Sequence, residues 1–164
     1  MKAKMRLLIV SILIAALVTA AFPAAGLAHE NKTYFTGQEC SIEWTDPGTW
    51  TYLPSGLVRV TGVHSTQYDT SDDARLTGYD YVIINAITDA ETGEGNFWGT
   101  FNIVNDGGSW FGHWNGQNPG GQFYIDGLLH GEGGYEGLTA NFMLRPGGEC
   151  SLISGYIVET GAGN

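Results

Sequence analysis

Asn96-Phe-Trp-Gly-Thr-Phe-Asn-Ile-Val104 is followed by Asn105-Asp-Gly-Gly108 and then Ser109-Trp-Phe-Gly-His-Trp-Asn-Gly-Gln117. After Asn118-Pro-Gly-Gly121 comes Gln122-Phe-Tyr-Ile-Asp-Gly-Leu-Leu-His130. Glycine-rich turns separate three strand-like runs, in each of which bulky apolar residues and glycines trade places. Side chains on a strand alternate between faces, so folding the chain at the two turns predicts neighbours. Across the first hairpin Phe97 faces Gly116, Gly99 faces Trp114, Phe101 faces Gly112 and Ile103 faces Trp110. Across the second, Gly116 faces Phe123, Trp114 faces Ile125, Gly112 faces Gly127 and Trp110 faces Leu129. Large against small on one face is what the interior of a small barrel needs to fill its taper.

The pattern extends outward. Further strands are predicted at Gln38–Trp44, Leu57–Asp69, Leu76–Thr88, Leu138–Arg145 and Leu152–Thr160, with a short one at Thr49–Leu53. The third strand of the opening run spans Gln122–Glu132. Turn residues such as Pro47-Gly48, Pro54-Ser-Gly56 and Pro146-Gly-Gly148 mark the boundaries. No stretch after residue 28 combines helical periodicity with helical length. Eight strands on short loops make an antiparallel up-and-down meander. Without helices to cover its edges, such a sheet is safest closed into a barrel. A two-sheet sandwich is the alternative.

Lys2, Lys4 and Arg6 precede an apolar run from Leu7 to Phe22, and Gly26-Leu27-Ala28 offers small residues for cleavage. Residues 1–28 therefore read as a signal peptide and residues 29–164 as one barrel domain, with 29–37 an unstructured arm. The apolar stretch is shorter than the ~20 residues of a spanning helix. The expected location is secreted or periplasmic, with no membrane attachment after cleavage. In an oxidising compartment, Cys40 in the first strand and Cys150 just before the last read as a disulfide joining the ends of the sheet.

Three of the seven basic residues lie in the leader. Four then face seventeen acids, a net charge of −13 with histidine neutral. That field repels nucleic acid and anionic lipid head groups. The acidic loops Asp69–Asp73 and Asp89–Glu94 lack the ligand order of a calcium loop and read as exposed acid. His130 and Glu132 read as a solvated pair, and His113 opposite Asp126 as an outer cross-strand pair. No metal and no cofactor is expected, and the composition is silent on oligomeric state.

The expected inner wall contains Phe101, Trp110, Trp114 and Phe142. If the Asp89–Gly95 loop keeps register, Tyr81 and Asn85 join it, with Asn85 beside Gly99 and Trp114. His64 shares the parity of Val58, Val60 and Gly62 and is the nearest ionisable candidate. Asn85 either bonds to a tyrosine or water or meets a ligand, because a buried amide needs a partner.

Trp98-Gly-Thr-Phe101, the Trp110/Trp114 pair around Gly112, and Gly131-Glu-Gly-Gly-Tyr-Glu-Gly-Leu138 resemble the allene oxide cyclase and dirigent group of eight-stranded barrels. The likeness, closest to small exported bacterial members, covers roughly Leu57 to Val158. It implies a calycin-like barrel around an apolar cavity and assigns no catalytic residue. Tyr135 in the glycine-rich turn reads as a plug. Three functions stay open. The barrel binds a small apolar or aromatic molecule through Asn85, Tyr81, Trp110, Trp114, Phe101, Phe142 and His64. Alternatively it is a cyclase or isomerase acting on a polyene or phenolic, or a filled structural barrel touching glycans through Trp98 and Phe111. The binder is the leading reading.

Overall fold

The computed structural model describes residues 31–160. The predicted leader lies outside them. Nine strands follow in order: β1 (Thr33–Asp46), β2 (Thr49–Tyr52), β3 (Leu57–Ser71), β4 (Gly78–Asp89), β5 (Gly95–Asn105), β6 (Gly108–Gln117), β7 (Tyr124–Gly133), β8 (Leu138–Arg145) and β9 (Ser151–Glu159). From β3 to β9 each pairs antiparallel with the next. β1 pairs with both β9 and β3 and closes an eight-stranded barrel, while β2 adds a short strand along Val58–Thr61 of β3. Closure removes the edges that an open sheet would expose.

β5 and β6 pair as their sequences dictate: Phe97 with Gly116, Gly99 with Trp114, Phe101 with Gly112, Ile103 with Trp110. The glycines permit close approach. A Cβ on Gly112 would overlap the Leu128 carbonyl, and one on Gly99 the Ile83 carbonyl and the Trp114 indole. The β6–β7 hairpin differs from expectation by two residues. Gly116 pairs with Ile125, Trp114 with Gly127 and Trp110 with Gly131. The connection takes in Gln122 and Phe123, and a shift of two preserves the faces. It also sets each tryptophan against a glycine. His113 then lies opposite Leu128, and Asp126 pairs with Arg145 at 2.7 Å.

Residues 33–37 are not an unstructured arm. Thr33–Glu39 runs along Ile157–Ser151 of β9, and Phe35 is buried in the core. Cys40 and Cys150 form the predicted disulfide, with Cα atoms 4.6 Å apart, across the β1–β9 seam. Tyr135 is the plug. It stacks on Trp110 with centroids 5.3 Å apart, and its hydroxyl donates to Asn105 Oδ1 at 2.6 Å. With Leu76, Ile103, Leu129 and Ile157 these rings pack one end of the barrel solid.

Candidate functional site

The other end is hollow. A cavity of about 400 Å3 opens there, walled by Val60, Val63, Val82, Ile84, Ala86, Phe97, Phe101, Trp114, Ile125 and Leu144. Trp44, Trp50 and Phe123 are exposed residues that line the same cavity. Its size falls within the ~300–1,000 Å3 range of small-molecule sites. The space has a local cause. On β3 and β4 the inward residues Val60, Val63 and Ala86 are short; Phe97 packs against them, and space remains beside Phe101 and Trp114. The lumen is therefore neither filled throughout nor empty throughout.

Few polar groups meet this cavity. Trp114 is one of its walls, and the buried Nε1–H has no hydrogen-bond partner. Ser41, Gln67, Thr88, Glu149 and Ser151 also line it, as does Glu39. Glu39 belongs to a buried cluster. It faces Asp69 across the β1–β3 pair, and Asp80 sits on β4 opposite Gln67, one diagonal step away. Asp69 and Asp80 are 0 % exposed and Glu39 is 6 % exposed. One carboxylate oxygen from each lies within 4.8 Å of the other two.

Burial pushes all three carboxyls up, because the charged form loses its water. Glu39 rises well above its ordinary range through burial and then through the charge of Asp80. Asp69 rises through burial and then through Glu39 and Asp80. Asp80 is pushed up to about 7 by burial, held back by the Asn102 N–H that donates to its Oδ1 at 3.0 Å. Such a cluster is stable when protons or a cation offset its charge.

The sequence-predicted site residues divide into three groups. Phe101 and Trp114 line the cavity. Trp110 and Phe142 are buried in the packed core instead. Asn85, Tyr81 and His64 lie on the outside of the barrel, contrary to expectation. β4 meets β5 one residue out of the predicted register, with Ala86 opposite Phe97 and Ile84 opposite Gly99. A slip of one exchanges the faces of a strand. Tyr81 is consequently exposed. Asn85 instead supports a bulge: its Oδ1 accepts from the Gly62 N–H at 3.1 Å, and its Nδ2 donates to the Trp98 carbonyl at 3.4 Å. That bulge lies between Val60 and Val63, with Gly62 at φ +68°. It reverses the parity of the following residues and turns His64 outward.

Glu39, Asp69 and Asp80 were missed by sequence reasoning. Asp69 begins a run of acids and reads as exposed turn. The signal that could have found Asp80 is its place in Gly78, Asp80, Val82, Ile84, Ala86, the smaller-residue face of β4.

Fold and site together define a single-domain, closed antiparallel barrel with a half-hollow lumen and a buried carboxyl cluster at its wall. No family model, no curated protein and no solved structure matches the chain.

Proposed function

We propose that the protein is an exported binding barrel holding one small, mainly apolar molecule in the hollow half of its lumen. The observation that carries this reading is the 400 Å3 apolar cavity lined by Trp114, whose buried indole N–H has no partner. Apolar walls give affinity without direction, and one donor in a water-poor site fixes orientation. The bound molecule presents an acceptor, a carbonyl or hydroxyl oxygen, to Trp114 Nε1. The Cys40–Cys150 disulfide and the basic–apolar leader support a workplace outside the cytoplasm. The resemblance to allene oxide cyclase and dirigent barrels points the same way.

Calorimetry with phenols, terpenoid ketones and their deoxygenated analogues tests it. One molecule should bind per chain. Trp114→Phe should weaken oxygen-bearing ligands by about tenfold and hydrocarbons much less, because only the former lose a hydrogen bond of about 1–1.5 kcal/mol. Tyr81→Phe, exposed on the outer wall, should leave affinity unchanged. No saturable binding, or equal losses from the two substitutions, would contradict the assignment.

A second reading, a cyclase or isomerase working in the same cavity, is favoured by Glu39, a carboxyl group among apolar walls. It requires a polyene or phenolic to be converted, and Glu39→Gln to abolish conversion while preserving binding.

A further inference from the structure

Binding of an apolar molecule leaves the cluster of Glu39, Asp69 and Asp80 without a role as a group. We propose that these three residues form a site for one divalent cation that prefers hard oxygen ligands, calcium before magnesium.

The geometry suits one ion. Three neighbouring strands, β1, β3 and β4, each send one carboxyl to the same point, Glu39 directly across from Asp69 and Asp80 on the diagonal. An oxygen of each lies within 4.8 Å of the others. Three equally spaced oxygens about 2.4 Å from one calcium ion are at most about 4.2 Å apart, against about 3.6 Å around magnesium, so closing these groups onto calcium takes the smaller side-chain movement. Rigid strands, not loops, hold the three groups at that spacing.

Hydrogen bonding supplies a separate observation. Asp69 is completely buried, yet neither of its carboxylate oxygens has a partner. Asp80 Oδ2 and Glu39 Oε2 are also buried and unpartnered. Buried polar atoms are almost always satisfied, and four orphans on three neighbouring carboxyl groups are rare in a folded protein. Among the described residues, arginines do not meet this need. Arg75 binds Asp73, Arg145 binds Asp126, and Arg59 projects outward from β3. The Asn102 N–H anchors Asp80 through Oδ1, which leaves Oδ2 for the ion. Because Glu39 also lines the hollow half, the ion has a route from the mouth, and water there can complete the six to eight oxygens calcium takes.

The test uses the full chain purified from an oxidising compartment, stripped with chelator and titrated with calcium chloride alone at neutral pH. One ion should bind per chain with a Kd of about 1–100 µM, with a rise in Tm, and magnesium should bind at least about tenfold more weakly. Terbium, a luminescent calcium substitute, should be sensitised by tryptophan excitation and displaced by calcium. Asp69→Asn and Glu39→Gln should each weaken binding by about thirtyfold or more, while Asp89→Asn at the far end of β4 should leave it within about twofold. Near-UV circular dichroism identifies a variant that has failed to fold, and the terbium competition on the unmodified chain still decides the case. Absence of binding up to about 10 mM calcium would overturn the site. So would binding that folded Asp69→Asn and Glu39→Gln both leave within about twofold. Because no organic ligand is present, neither outcome depends on whether the cavity binds a small molecule.

Discussion

Trp110 and Trp114 sit four residues apart on the inner face of β6, and their surroundings differ. Trp110 is 0 % exposed, stacks on Tyr135 and donates its Nε1–H to the Arg75 carbonyl at 2.8 Å. Trp114 faces a cavity, and its Nε1–H has no partner. The alternation of large and small residues is the same at both ends. What differs is the opposite wall. At the closed end Leu76, Phe35 and Ile157 complete the packing, whereas at the open end the short Val60, Val63 and Ala86 leave a cavity beside Phe101 and Trp114. A barrel of fixed strand number is thus filled or hollow according to side-chain volume on two or three strands. One end serves stability and the other leaves room for a ligand.

The largest expected effect separates the two tryptophans. Trp110→Ala should cost about 3–5 kcal/mol, since it removes a close-packed ring. It also removes one of the two hydrogen bonds that the Arg75 carbonyl accepts, leaving the one from Asn105 Nδ2. Trp114→Ala should cost at least about 1 kcal/mol less, because one side of the ring already borders empty space and loses fewer contacts. Denaturant unfolding of both variants measures the difference. Equal losses would mean that the two ends are packed alike.

A smaller effect concerns the carboxyl cluster in chelator-treated protein. Each of the three groups has a folded-state pKa above its unfolded value of 3.8 or 4.5. The folded state therefore holds more protons than the unfolded state over the interval between them. This stabilisation is complete below about pH 4 and is lost as pH rises through the raised folded-state values, Asp80 giving up its share at about 7. Exposed Asp72 and Asp89 have lowered pKa values through hydrogen bonds and act oppositely, losing their contribution only as pH falls below their ordinary 3.8. The chelated chain should accordingly melt at a lower temperature at pH 8 than at pH 5, and Asp69→Asn should flatten that slope. A melting temperature that rises from pH 5 to pH 8 without added metal would contradict the burial of these acids.

Much of the barrel was legible because β5 and β6 carry bulky residues on one face and glycine at the facing positions. Only one pairing satisfies both. The β6–β7 hairpin kept its faces despite a shift of two residues, since parity survives an even shift. β4 was illegible for a definite reason. Both of its faces are apolar, Val82 and Ile84 on one side and Tyr81, Ile83 and Ile87 on the other, so period two does not choose between them. The length of the Asp89–Glu94 turn decided the matter. There Asp89 Oδ1 accepts from the Glu91 and Thr92 N–H groups, and Gly93 takes φ +73°. In β3 a single bulge at Gly62 exchanged the faces, moving His64 out and bringing Asp69 in. The carboxyl cluster depends on both of these local irregularities, and so it was hidden, whereas the Phe101–Trp114 wall depends on neither.

The most direct measurement of the central claim is binding of a neutral fluorescent apolar probe, N-phenyl-1-naphthylamine, to the native chain and to Ala86→Phe. Ala86 is buried and lines the cavity from β4. A phenyl ring there enters existing space, so stability should change by less than about 1.5 kcal/mol. One probe should bind saturably per native chain, with at least a tenfold loss in folded Ala86→Phe. Probe binding with unchanged affinity in that variant, or no saturable binding to the native chain, would contradict a ligand site in the hollow half of the barrel.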